Sequence, residues 1–205
     1  MEFEGLTQDD LANVSALNRR WLRVMQDDRT GIGRLAESAR ERLASAPFLL
    51  FTFREHDESL WRSLLDPGRQ RDLLEVSAPA SSELRALQAA GIAFLWELAR
   101  RNPYAARVVS GAPLSWCEQL MSTTLVRVLE SVAHHRVIEA RFDEQSSSYR
   151  RLLRQGGSTA REPRLFAQIG ALQAMLTSAA MVPYRRFPAA ACGMPRASRQ
   201  VADEV

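Results

Sequence analysis

The chain has 205 residues, 46% of them hydrophobic and 25% charged, with a formal net charge of +3, which suits one globular domain or two small ones and excludes a disordered or collagen-like polypeptide. No stretch reaches the roughly 18 uninterrupted apolar residues of a membrane-spanning helix, and the first residues, with Glu2, Glu4, Asp9 and Asp10, lack the basic start and apolar middle of a secretory signal, so a cytoplasmic protein is expected. All 27 basic residues are Arg and no basic run exceeds two residues, so the charge pattern shows no strong electrostatic footprint for nucleic acid.

In chain order, Thr7 is placed to cap a helix from about Gln8 to Asp27, with Leu11, Val14, Leu17, Trp21 and Val24 or Met25 on its buried face. Such a helix has room for both packing and dimerisation, which makes Leu11, Leu17 and Trp21 the candidate interface residues. Gly31 and Gly33 break the pattern, and a second helix is expected from about Ile32 to Ser45, with Arg34, Arg40 and Arg42 outward. Pro47 then opens PFLLFTF, too short for a membrane span and too apolar for a surface loop; it reads as a buried strand or a core helical turn. Asp57 caps a helix over Glu58 to Leu65 that stops at Pro67-Gly68. The stretch Val76 to Ser82, rich in small residues and broken by Pro79, is the best boundary between two units.

A long helix starting at Ser82 and Glu83 carries Leu84, Leu87, Gly91, Phe94 or Leu95, and Leu98 on one face, with Glu97, Arg100 and Arg101 opposite. Asn102-Pro103 restarts a short helix that ends near Ser110 at Gly111, Pro113 starts another over about Leu114 to Met121, and Ser122-Thr123-Thr124 supplies caps for a fourth, from Leu125 to His134 or His135. Two short helices around a polar link are compatible with a DNA-reading helix-turn-helix, although most helical hairpins simply pack a core. After Phe142 a short helix to Arg154 and a Gly156-Gly157 loop are expected. A last helix, Arg164 to Met181, should dock through Leu165, Ile169, Leu172, Leu176 and Ala179, and residues from Pro183 onward read as a disordered tail.

The search for chemistry is mostly negative. His134 and His135 are adjacent and point about 100° apart on a helix, so they cannot chelate together with Glu139, and no metal site is expected. Cys117 and Cys192 are too few and too far apart for a disulfide framework or a zinc site, and Cys117 has no His beside it in sequence to activate it as a nucleophile. Gly156-Gly157-Ser158-Thr159 cannot be a phosphate loop of the usual kind, since the chain contains no Lys. No cofactor, small-molecule substrate or catalytic residue is expected.

The residues from Ala90 to Phe142, 53 of the 205, carry a family resemblance. From Phe94 through the turn at Gly111, across Leu120, Leu125 and Leu129, to the closing Ala140-Arg141-Phe142, the segment resembles the FlhD-like family, the D subunit of the flagellar master transcriptional regulator. The resemblance implies an all-helical protein that dimerises through N-terminal helices and joins a zinc-binding, FlhC-like C subunit to activate flagellar operons, the partner supplying the metal and much of the DNA contact. The chain departs from the family in being nearly twice its usual length, and in having Ile138 and Glu139 where many members carry a cysteine just before the closing Phe-Arg-Phe. A covalent dimer at that position is excluded. Trp21 to Arg54 also reads as a shorter echo of Phe94 to Phe142, either a duplicated unit or a chance likeness of amphipathic helices.

The expectation is thus an all-α bundle with at most short strands, comprising one helical unit over 1–76, a linker over 77–82, a second unit over 83–182 and a tail over 183–205. It would act without catalysis, as a transcriptional regulator or regulator-like subunit in a protein complex on DNA. Its partner would be an FlhC-like subunit or a second copy of the chain. If Leu125 to His135 is a recognition helix, Arg100, Arg101, Arg107, Arg127 and Arg136 are the groups able to reach phosphates. The alternative is a helical interaction adaptor or export-chaperone-like protein without DNA contact.

Overall fold

Side-chain caps set most of the helix starts. In the computed structural model, which describes residues 5–25, 32–66, 81–141 and 146–180, the Thr7 hydroxyl accepts the Asp10 amide while the Asp10 carboxylate accepts the Thr7 amide. That reciprocal box starts α1 (Gln8–Val24). A single 3-10 turn, Ile32–Arg34, precedes α2 (Glu37–Ala44), so the helix expected over Ile32 to Ser45 is split, with extended backbone at Ala36 between the two pieces. Next come β1 (Phe51–Thr52) and α3 (Glu58–Leu65), the latter started by the Asp57 carboxylate on the Leu60 amide.

The second part begins with α4 (Ser82–Arg101), capped by Ser81. It continues through α5 (Pro103–Ser110), with Asn102 as cap and Pro103 in the first turn, α6 (Leu114–Ser122), and α7 (Leu125–Val132), whose cap is Thr124. Gly111 ends α5 in the left-handed conformation at φ 66°, a position that favours glycine. Strand β2 (Glu139–Ala140) follows, then α8 (Ser147–Gly156) and α9 (Arg161–Ala180). The fold is all-α: among the described residues the only sheet is the antiparallel pair β1–β2, with Phe51 opposite Ala140 and Thr52 opposite Glu139.

One apolar core runs through elements on both sides of the expected 77–82 boundary, most of which, like the 183–205 tail, lies outside the described residues. PFLLFTF is its centre: Phe48, Leu49, Phe51 and Phe53 are fully buried, and only two residues of the segment form a strand. Trp21 packs on Phe51 at 5.3 Å and Phe51 meets Phe53 edge-on at 5.4 Å. Gly91 admits this cluster to α4, because a Cβ there would lie 2.6 Å from the Phe53 ring. Helix α4 is the hub, packing against α1, α5, α6 and α7. Among the described residues no helix is long and apolar enough to cross a membrane.

Helix α9 docks on a face other than the one its large side chains predict. Ala167, Ala171 and Met175 are buried, and Met175 fills the space beside Gly111, where a Cβ would run into it. Leu165, Ile169, Leu172 and Leu176, expected to be the docking face, are only partly covered. Of these Leu172 still packs against the core, while Phe166 is exposed and the Ala179 side chain lies outside the described residues.

Candidate functional site

The helical hairpin α6–α7 is joined by Thr123 and Thr124 and held against α4 from two sides. On one side the Trp96 indole N–H donates to the Thr123 carbonyl at 2.7 Å, which pins the turn. On the other, the buried Gln88 amide donates to the Val132 and His135 carbonyls at 2.8 and 2.9 Å and accepts the Val137 amide at 3.0 Å, closing the end of α7. With Val128 and Val132 inward, α7 turns Val126, Glu130 and Ala133 outward. Val126 is 66% and Met121 is 41% exposed, so the two helices present apolar side chains on either side of their turn. The Arg100 guanidinium lies over the Trp96 ring, 4.7 Å from its centroid, placing a cation next to the pinned turn.

The five arginines named as phosphate candidates do not share one role. Arg100 is exposed and stacked on Trp96, and Arg136 is exposed in the loop after α7. Arg101 pairs with Asp10 at 2.5 Å, tying the end of α4 to the start of α1. Arg127 donates to the Leu65 carbonyl at 3.0 Å and so caps the last turn of α3. Arg107 is partly buried in α5, close enough to Cys117 to act on its thiol. The outward face of α7 therefore bears no arginine. The candidate interface residues Leu17 and Trp21 are buried in the chain's own core, while Leu11 is partly exposed.

A second concentration of polar chemistry is buried where β1 meets β2. The Arg141 guanidinium donates to the Leu49 carbonyl at 2.9 Å and the Phe51 carbonyl at 2.6 Å, and pairs with the fully buried Glu55 carboxylate at 3.4 Å. Glu55 also accepts the Thr52 hydroxyl. Arg54, at φ 55°, takes a left-handed conformation uncommon outside glycine; its side chain reaches Asp57 at 2.6 Å, and the backbone turn directs Glu55 inward. The Trp61 indole N–H fixes the same turn through the Phe53 carbonyl at 3.1 Å. Burial pushes the Arg141 pKa down, and Glu55 pulls it back up. No sequence signal separates Glu55 from a surface glutamate.

Neither region assembles a reactive group. The Cys117 thiol is pushed up to about 12 by burial, with Glu55 adding to the effect, so it stays protonated at neutral pH. Among the described residues no group of three His, Cys, Asp or Glu side chains could hold a metal ion. A cavity of about 50 Å³ bounded by Trp21, Leu50, Arg141 and Tyr149 is far below the roughly 300 Å³ at which small-molecule sites begin. No protein-family model, curated protein or solved structure matches the chain.

Proposed function

We propose that the protein acts by binding, as a regulator-like helical subunit of a cytoplasmic transcriptional complex, with DNA reached through the assembled complex. The observation that carries this reading is the α6–α7 hairpin. Its turn is fixed by Trp96 on Thr123, while Met121, Val126 and the stacked Arg100 face outward. A surface held rigidly by buried contacts but apolar at its tip suits docking of a protein partner, and the cation next to it suits a partner carrying carboxylates. The resemblance of Ala90 to Phe142 to the flagellar D-subunit family supplies the transcriptional context and an FlhC-like partner.

The test is co-purification from the native cell, followed by DNA binding of the recovered complex. Met121→Glu and Val126→Glu should abolish partner recovery while leaving helicity unchanged. Arg100→Ala with Arg136→Ala should leave the partner bound and reduce the salt dependence of DNA binding by about one unit of slope for each phosphate no longer neutralised. Arg127 is unsuitable for this experiment, because its removal also uncaps α3.

A second reading, a helical adaptor that does not touch DNA, is favoured by one observation: Arg101 and Arg127 are engaged within the chain and α7 faces outward with Val126, Glu130 and Ala133. If the Arg100→Ala, Arg136→Ala complex binds DNA like wild type at low and high salt, the adaptor reading replaces the first.

A further inference from the structure

Helix α8 carries arginines and no acid. The segment 146–161, which runs through α8 and the turn into α9, holds Arg150, Arg151, Arg154 and Arg161 and neither Asp nor Glu, leaving 23 basic against 24 acidic residues in the rest of the chain. The net positive charge is therefore gathered on one short stretch, although no basic run within it exceeds two residues.

At about 100° per residue, Ser147, Arg150, Arg151 and Arg154 share a sector of roughly 100° on the side opposite the buried Tyr149, Leu152 and Gly156, and all four are exposed. The seating of α8 on α2 fixes that rotation. A Cβ at Gly156 would lie 3.0 Å from the Leu43 side chain and one at Gly157 would lie 3.0 Å from the Ala39 carbonyl oxygen, while Arg42 donates to the Gly157 carbonyl at 2.7 Å. Among the described residues Arg151 and Arg154 make no ion pair, and the nearby acids of α2, Glu37 and Glu41, are paired with Arg40 and Arg19 at 2.5 and 2.7 Å. We propose that the outward face of α8 binds the phosphate backbone of double-stranded DNA without reading its sequence, Arg151 and Arg154 each neutralising a phosphate. This rests on the DNA reading above and deepens it by placing phosphate contacts on a helix outside the hairpin.

The composition of the face favours DNA over a protein or a lipid surface. The exposed side chains of α8 are Ser147, Arg150, Arg151, Arg154 and Gln155, none of them apolar, and Leu153 packs against the core. A protein partner is anchored by aromatic or aliphatic side chains at the centre of the contact, and a membrane-bound helix by an apolar face laid into the bilayer. Helix α8 uses its apolar face, Tyr149 and Leu152, inside the fold. Arginine, serine and glutamine are the groups that reach phosphate oxygens, and arginine does so through two N–H donors at once.

Fluorescence anisotropy with a labelled duplex of arbitrary sequence, titrated at several salt concentrations, tests this on the purified full chain and on the complex recovered from the cell. Arg151→Gln with Arg154→Gln should keep native helicity and melting, since both side chains are exposed, and should weaken the binding of unrelated duplexes alike. The slope of log affinity against log salt should flatten by about two units. Arg151→Lys with Arg154→Lys, which keeps the charge, should retain most of the slope. An unchanged slope in the glutamine variant overturns the proposal; if Arg100→Ala with Arg136→Ala lowers the slope in the same assay, the DNA reading stands without it. No duplex binding at low salt by either the chain or the complex overturns both. Capture by phosphatidylserine vesicles without duplex binding, or loss of partner recovery in the glutamine variant, assigns the face to lipid or to protein and also overturns the proposal.

Discussion

Replacing Arg141 with Met removes the guanidinium from the β1–β2 junction while keeping most of the side-chain volume. The Leu49 and Phe51 carbonyls lose donors at 2.9 and 2.6 Å, and the Glu55 carboxylate loses the cation that faces it. The Arg141 and Glu55 side chains are only 7% and 0% exposed, so water cannot take the place of the missing guanidinium. Breaking a buried pair from one side costs about 3–5 kcal/mol, because an uncompensated charge remains in the interior. For a chain of this size that lowers the melting temperature by roughly 6–20 °C. Adding Glu55→Leu to Arg141→Met should recover part of the stability, since the stranded charge is then gone. Circular-dichroism melts of the two single variants and the double variant measure this. An Arg141→Met protein that melts like wild type, or a double variant no more stable than Arg141→Met, refutes the view that the pair locks the strand junction.

Other expectations follow from the same network of side chains. Trp96→Ala should cost about 2–4 kcal/mol, from reduced packing and the missing bond to Thr123, and a melting curve unchanged from wild type would contradict the pinned turn. Trp116→Phe should cost less than about 1.5 kcal/mol, because the Trp116 indole N–H is buried without a partner and the edge-on contact with Trp61 can persist; a larger drop in urea unfolding would point to an unseen bond. Asp10 is largely buried, which alone would raise its pKa, but Arg101 and Thr7 outweigh this and hold it below the ordinary value of 3.8. A depressed carboxyl stabilises the fold above its unfolded pKa and loses that contribution as pH falls through the folded value. The stability gap between wild type and Asp10→Asn should therefore be full at neutral pH and close in acid below about pH 4; a gap independent of pH would remove Asp10 from the account.

The helices were legible because their punctuation is local. Thr7, Asp57, Asn102-Pro103, Gly111 and Thr124 each act within a few residues of themselves, and each stands at an observed helix end. What depends on distant partners was not legible. Arg127 looks like a solvent cation on an amphipathic helix until the end of α3 is placed beside it, 62 residues away. Arg42, expected outward on its helix, bonds the Gly157 carbonyl at 2.7 Å for a similar reason. In α9 the large apolar side chains do not mark the buried face, since Ala167 and Ala171 are buried there and Met175 fills the space beside Gly111. Asn18 and Gln88 carry no sequence mark of burial, yet both lie at the centre of the packing.

Those two carboxamides bear on how the halves of the chain relate. In α1, Asn18 donates to the Ala44 and Phe48 carbonyls at 3.3 and 2.9 Å and accepts the Leu50 amide at 2.9 Å. In α4, Gln88 does the same for Val132, His135 and Val137. Each clamps the connector that leaves a short helix, α2 or α7, and enters a strand, β1 or β2, and the two strands pair with each other. Aligning Trp21 with Phe94 sets Asn18 opposite Gly91, about one helical turn from Gln88, so the device is shared while the residue that carries it is shifted. Because the clamps have no partner in common, Asn18→Leu and Gln88→Leu should each cost about 2–4 kcal/mol through stranded backbone groups, and together add to within about 0.5 kcal/mol. Chemical denaturation of the two variants and their combination decides it. If one substitution is silent while the other unfolds the chain, only one half depends on its clamp, and the likeness between the halves is one of helix pattern without shared construction.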